Sequence, residues 1–148
     1  MEISVATPDD IPQLCELLEL LFSQETEFQP DRAVQSAGLR QIIEQPEHGQ
    51  ILVLRDALSL VGMVNLLFTV STALGGRVGI LEDMVVHSSQ RGSGAGSLLL
   101  KAAINAAQSA GCLRITLLTD RTNEAAQRFY QRHGFTLSDM IPLRLLLP

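Results

Sequence analysis

Arg91-Gly92-Ser93-Gly94-Ala95-Gly96 puts three glycines and one cation into six positions, with Val85-Val86 before it and Leu98-Leu99-Leu100 after it. A glycine cluster between an apolar strand and an apolar helix sits where backbone N–H groups converge with no intrahelical partner. Without Cβ atoms, Gly92, Gly94 and Gly96 let anionic oxygens reach those amides, while Arg91 and the helix dipole favour the same charge. A phosphate is the expected guest, and an unliganded tight turn is the plain alternative. Ser93 and Ser97 have no recognisable triad with His and Asp and read as loop residues.

Two familiar phosphate motifs are tested by the same residues. A P-loop needs Gly-Lys-Ser/Thr, but Gly96 is followed by Ser97-Leu98. A dinucleotide fingerprint would place its third glycine at position 97, which is Ser, and would want an acid about 20 residues on. It would also leave the neighbouring acids Glu82-Asp83 unexplained, because a central parallel strand buried on both faces is nearly all apolar.

The elements that must hold this loop can be read in order. Ile3-Ser4-Val5 reads as a strand, and Thr7-Pro8-Asp9-Asp10 as a helix start, with Thr7 as cap and acids at the positive end of the dipole. Ile11, Leu14, Leu17, Leu18, Leu21 and Phe22 then repeat at helical spacing. A second helix is expected from about Asp31 to Gln45, carrying Val34, Leu39, Ile42 and Ile43 and stopped by Pro46. Gln50–Leu54, Val61–Thr72 and Val78–Val86 predict three antiparallel strands, although Asp56-Ala57-Leu58-Ser59 lacks the Gly or Asn of a tight hairpin. After the glycines, Leu98, Leu99, Ala102, Ala106 and Ala110 form a helical stripe ending at Gly111. Leu113–Thr119 predicts a strand. Asn123–His133 predicts a helix with Ala126, Phe129, Tyr130 and His133 on one face, and Phe135–Leu137 and Ile141–Leu147 are expected to finish the sheet.

The 148 residues suit one domain, 1–148, with no repeat and no linker to mark a second. With 46% hydrophobic residues and a net charge of −5, the composition argues against a polyanion-binding face, so nucleic acid is not an expected partner. Cys15 and Cys112 are too few for a disulfide scaffold and read as buried free thiols in a reducing compartment. The start MEISVATPDD is too acidic for a signal peptide, and no apolar run reaches the roughly 18 residues of a span. A cytoplasmic location without membrane association is expected. His48, His87 and His133 have no partners at metal-ligand spacing, so no metal is assigned.

LEDMVVHSSQRGSGAG followed by NEAAQRFYQRHGF resembles the GNAT superfamily of acetyl-coenzyme A-dependent N-acetyltransferases. Residues 91–96 fit that family's Q/R-x-x-G-x-G/A pyrophosphate loop. Asn123, Ala126, Phe129, Tyr130, Gly134 and Phe135 fit its N-x-x-A-x-x-F-Y-x-x-x-G-F segment, in the family's order and spacing. The resemblance covers residues 78 to 137 well and the amino-terminal half only by its order of elements. It implies an α/β (α+β) fold: a mixed, mostly antiparallel sheet of about six or seven strands flanked by about four helices, with a splayed parallel pair opening a wedge for acetyl-CoA.

The resemblance also implies roles. Met84, Val85 and Val86 would pair the pantetheine amides, Arg91, Gly92, Ser93, Gly94, Ala95, Gly96 and Ser97 would hold the diphosphate, and Asn123, Ala126 and Phe129 would line the cofactor. Asn123 can equally cap its helix, and Phe129 can equally be core. A bulge near Asp83-Met84 would aim an amide at the thioester oxygen. Successive strand residues face opposite sides, so Glu82 and Asp83 share a face only if a bulge intervenes. Glu82 is the candidate base, because Leu81-Glu82-Asp83 is similar to the triplet of the diamine acetyltransferases; a docking acid with water removing the proton is the alternative. Tyr130, the only tyrosine, would be the general acid toward the departing thiolate, or an aromatic packed under the cofactor.

The acceptor is expected to be a primary amine of a small molecule or protein. Glu25, Glu27, Asp31 and Glu82 would favour a cation. A non-catalytic acetyl-CoA sensor, or a nicotinamide-dependent oxidoreductase, are the alternatives; a pure binder would be expected to lack Glu82 and Tyr130. Similar acetyltransferases often pair through their sheets, and the apolar tail Pro142–Leu147 would suit a homodimer.

Overall fold

The computed structural model describes residues 1–23 and 30–148, so Glu25 and Glu27 lie outside the described residues. Its contacts divide the chain into two compact units, Met1–Leu118 and Thr119–Pro148. The first holds β1 (Glu2–Val5), α1 (Ile11–Phe22), α2 (Arg32–Ile43), β2 (Gly49–Asp56), β3 (Ser59–Ser71), β4 (Gly76–Val86), α3 (Ala95–Ser109) and β5 (Ile115–Leu117). The second holds α4 (Glu124–Arg132). Among the described residues no helix is long and apolar enough to cross a membrane.

The sheet runs β1-β2-β3-β4-β5. Its first four strands are antiparallel and β5 pairs parallel to β4, the mixed arrangement expected of the sequence. Among the described residues it has five strands rather than six or seven, because residues 135–137 and 141–147 form none. Those runs are apolar, but apolar composition makes a strand only where an edge and a covering surface exist; Leu137 and Ile141 stand exposed, and Leu143 is 91% exposed.

Two short connections show how the chain reaches this sheet. Asp56 pairs with Ser59, leaving a two-residue turn in which Ala57 takes φ +55, a left-handed conformation usually given to Gly or Asn. The hairpin therefore forms without its usual sequence signal. Gly111, at φ +83 after the last turn of α3, supplies the left-handed cap that its position predicts.

One core forms between α1 and the sheet. Ile11, Leu14, Cys15, Leu17 and Leu18 pack with Ile51, Val53, Met63 and Val85, and Leu21, Phe22, Ile42 and Ile43 close its border. Val34 is not part of it and stands 65% exposed. Five residues separate it from Leu39, which turns it about 140° away around the helix. On α3 the buried residues include Leu99, as expected, with Leu100, Ala103 and Ala107, whereas the expected Leu98, Ala102, Ala106 and Ala110 are not buried. The small alanines still give close packing: Leu99 lies 3.3 Å from where a Cβ on Gly62 would stand. Cys15 is buried, with its Sγ 3.3 Å from Ser36 Oγ, while Cys112 is only half-buried; both are free thiols.

The start of α1 is fixed by a buried ion pair. Arg55 of β2 donates to both Asp10 carboxylate oxygens, at 3.0 and 2.7 Å, and to Ser4 Oγ at 3.0 Å. Asp10 in turn accepts from the Thr7 backbone N–H at 2.8 Å. Burial alone would push the Asp10 carboxyl up, but the hydrogen bonds from Arg55 and Thr7 overcome it and hold the group below its ordinary 3.8. A carboxyl held low contributes stability that is present above the ordinary value and lost as pH falls through the lowered one. Replacing Asp10 by Ala leaves Arg55 half-buried and unpaired, and is expected to cost about 3 kcal/mol at pH 7. Thermal denaturation of wild type and Asp10→Ala across pH should show a large gap in Tm at neutral pH that closes in acid.

Candidate active site

The ladder between β3 and β4 loses its register at one point. Met63 pairs with Val85 and Asn65 pairs with Glu82, so Val64 stands opposite both Asp83 and Met84. That is a β-bulge at the expected position. Asp83 carries it at φ +43, a conformation that costs a non-glycine residue of the order of 1–3 kcal/mol.

Beyond the bulge β4 is paired, among the described residues, on one side only. Its parallel partner β5 follows it through Gly79–Ile115, Ile80–Thr116 and Leu81–Leu117 and then ends, while β4 continues to Val86. His87 donates its N–H to Val61 O at 2.7 Å. The alternation of an antiparallel ladder then turns Val85 toward β3, and turns the N–H and C=O of Met84 and Val86 to the open edge.

This edge leads into the glycine loop. His87 Nδ1 accepts from Ser89 N–H and starts a short 3₁₀ turn, whose carbonyls take the N–H groups of Arg91 (Ser88 O, 3.2 Å) and Ser93 (Gln90 O, 3.3 Å). Gly92 and Gly94 follow at φ +78 and +84, and a Cβ at either would meet no atom within 4 Å. The first α3 bond is Leu98 N–H to Gly94 O at 3.0 Å. The N–H groups of Ala95, Gly96 and Ser97, in the first turn, therefore precede any partner within the helix. The loop thus has the open, side-chain-free space and the converging amides that an anion requires, with Arg91 exposed beside it.

On the face of the sheet across β3, β4 and β5 lies a groove of about 340 Å³ that Thr69, Ile80, Glu82, Thr116 and Leu118 help to line, with Arg114 also at its wall. Glu82 is exposed in it. The bulge places a second acid on the same side: Asn65, the Cα partner of Glu82, donates from Nδ2 to Asp83 Oδ2 over a long 3.4 Å. Asn65 is only 4% exposed, and its Oδ1 is buried with no hydrogen-bond partner among the described residues. Burial pushes the Asp83 carboxyl above its ordinary value, against the smaller lowering effect of the Asn65 bond. Asn65 escaped the sequence reading; the one signal for it is a lone polar residue inside the otherwise apolar run Leu60–Phe68.

In the second unit, Asn123 caps α4 by accepting from Ala126 N–H at 3.1 Å, and Gly134 ends it at φ +96. Ala126, Phe129, Tyr130 and His133 are half-buried together. The Tyr130 ring meets those of Phe129 and Phe135 edge-on at 5.3 and 5.7 Å, and burial pushes its phenol up to about 12. The His133 ring lies 4.8 Å from Phe129, with Nδ1 2.9 Å from the Phe129 carbonyl.

Known proteins carry the same pattern. A family model described as the acetyltransferase (GNAT) family matches residues 12–135. The chain belongs to that family. Among its relatives, an uncharacterized N-acetyltransferase of Bacillus subtilis (strain 168) is 32% identical over 118 residues, 78% of each chain. The glucosamine 6-phosphate N-acetyltransferase of Trypanosoma brucei brucei is 35% identical over 77 residues, 51% of this chain and 50% of that one. The crystal structure of a Trypanosoma brucei acetyltransferase superposes with a TM-score of 0.76 at 28% identity, over 99% of both chains. The protein is an N-acetyltransferase of the GNAT fold, with the parallel β4–β5 pair in place.

The glycine loop of this acetyltransferase gives a direct test of anion binding. Asn tolerates a left-handed conformation better than other side chains. Gly94→Asn should therefore fold with little loss of Tm yet fill the open space. Titration calorimetry with coenzyme A as probe is expected to show affinity lower by at least about tenfold; unchanged affinity would place the diphosphate elsewhere.

Proposed function

We propose that this acetyltransferase moves the acetyl group of acetyl-CoA to a primary amine of a small, cationic molecule, by direct attack of the amine on the thioester. The observation that carries this reading is the open edge of β4, which runs from the bulge into the unpartnered first turn of α3. The family generally uses acetyl-CoA, and these features suit its parts. Main-chain groups at Met84 and Val86 match the amides of the pantetheine arm, which need partners once taken from water. Residues 91–97 match the diphosphate. By the family motif alone, Asn123, Ala126 and Phe129 are proposed as further cofactor contacts.

Glu82 is the candidate base. An amine of pKa ~10.4 is overwhelmingly protonated at pH 7, so it has to lose a proton before it can attack. An exposed carboxylate in the groove favours the arrival of an ammonium group and takes that proton, directly or through water. The oxygen of the thioester gains charge as the bond forms, and a main-chain amide at the bulge stabilises it there.

Tyr130 is the proposed donor toward sulfur. With its phenol at about 12 it stays protonated through the working range. Full transfer to a thiolate of pKa ~8.5 is unfavourable by roughly three powers of ten, so its contribution is a hydrogen bond that strengthens as the sulfur becomes anionic. Tyr130→Phe is expected to lower kcat by about 10- to 1,000-fold with little change in affinity for coenzyme A. The loss should be uniform from pH 6 to 10, since the phenol does not titrate there. Thiol release with 1,4-diaminobutane, glucosamine 6-phosphate, free amino acids and a peptide amino terminus as acceptors checks both the rate and the acceptor. Preference for the diamine supports the cationic reading, and exclusive use of the anionic sugar overturns it.

A further inference from the structure

Acetylation of a primary ammonium removes two protons from one nitrogen. The first must leave before attack, to free the lone pair. The second leaves after the C–N bond has formed, when the nitrogen again carries a positive charge. Glu82 accounts for one of them.

The bulge supplies a second acceptor. In a regular strand Asp83 would face away from Glu82. Here two β4 residues stand opposite Val64, and Asp83 comes within hydrogen-bond range of Asn65, whose Cα partner is Glu82. One buried amide thus bonds the carboxylate of Asp83 and stands in register with the residue that carries the other. The pairing is incomplete: Asn65 Nδ2 donates to Asp83 Oδ2, but Asn65 Oδ1, buried within a residue only 4% exposed, has no donor among the described residues. A buried acceptor left in this state costs about 1–3 kcal/mol. A protonated carboxyl facing a carboxamide provides the missing donor and closes a two-bond ring. The position also costs stability through the φ of +43 at Asp83. Two local costs at one point of an otherwise regular ladder mark a functional position.

We propose that Asp83, with Asn65 beside it, is the second proton acceptor of the acyl transfer, a role that rests on the acetyl-CoA reading above. The amine lone pair forms the C–N bond, the C–S bond breaks with its electron pair on sulfur, and the remaining excess N–H proton passes to the Asp83 carboxylate. Protonated Asp83 donates to Asn65 Oδ1 until it resets. Of the two protons lost by the nitrogen, one ends on the coenzyme A thiol and one in solvent. The charged groups of the elements packed on β4 are few. β3 and β5 have none, α3 has Lys101, and α1 has Glu16 and Glu19, the latter paired with Arg32 at 2.9 Å. Burial and the Asn65 bond are the influences on the Asp83 carboxyl.

The test pairs stability with rate. A carboxyl raised by burial contributes most below its unfolded value and loses that contribution as pH rises through the folded one. Asp83→Asn should therefore raise Tm at pH 7, with the gain vanishing in acid. It should lower kcat about 100-fold, with acetyl-CoA and 1,4-diaminobutane, or glucosamine 6-phosphate where the diamine is not taken, while KM for acetyl-CoA changes less than about threefold. Asn65→Leu, which removes the donor to Asp83, should move the acid limb of the kcat profile to higher pH. A wild-type kcat in Asp83→Asn overturns the proposal while leaving acetyl transfer standing. A fall in Tm together with kcat makes the pair a structural brace and also overturns it. No transfer by the wild type to any amine overturns the acetyl-CoA reading, and this role with it.

Discussion

A strand that loses one neighbour partway along its length sets the terms for the rest of the Met1–Leu118 unit. β4 is held on both edges as far as Leu81 and on one edge from there to Val86. Main-chain N–H and C=O groups need partners, and an edge left open beside an apolar core is costly unless a guest completes it. The bulge at Asp83-Met84 marks the same place on the other edge. It turns the following main-chain groups outward and brings two acids to one side of the sheet.

The core explains why that arrangement persists. Met63 and Val64 are fully buried, as are Ile51 and Val53 on the neighbouring strand, and α1 packs Leu14, Cys15 and Leu18 against the same face. Close-packed side chains on both sides of the bulge leave the chain no slack in which to slide back into register. The strained φ at Asp83 and the unpaired Asn65 oxygen are maintained by that packing. Electrostatically the place is lopsided: an exposed acid in the groove, a half-buried acid at the bulge and a buried neutral amide bonded to it. Such an arrangement suits a ligand that arrives charged and departs neutral.

Much of this was legible in the residues. The order of elements, the antiparallel start, the parallel β5, the caps at Asn123, Gly111 and Gly134 and the bulge all follow from periodicity, turn chemistry or the family motifs. What was not legible depends on a partner distant in the chain. On α3 Leu99 is buried as expected, but Ala103 and Ala107 are buried in place of Ala102 and Ala106, because adjacent alanines give no hydrophobic contrast between neighbouring faces. The runs 135–137 and 141–147 look like strands by composition, yet form none, since a strand is defined by the edge it meets. Asn65 passed unnoticed because nothing local distinguishes a buried asparagine from an exposed one; only its pairing with Glu82 and Asp83, 17 and 18 residues away, gives it meaning. Glu82 was chosen over Asp83 because its triplet resembles that of the diamine acetyltransferases, and the bulge, which alone lets both acids share a face, is present.

Amide hydrogen exchange, followed residue by residue with and without acetyl-CoA, tests the central claim most directly. The account predicts that the ligand slows exchange at Met84 and Val86 and at Ala95, Gly96 and Ser97, while Val85, already turned toward β3, changes little. Binding that leaves those five amides exchanging as before, with protection appearing elsewhere on the chain, would contradict it.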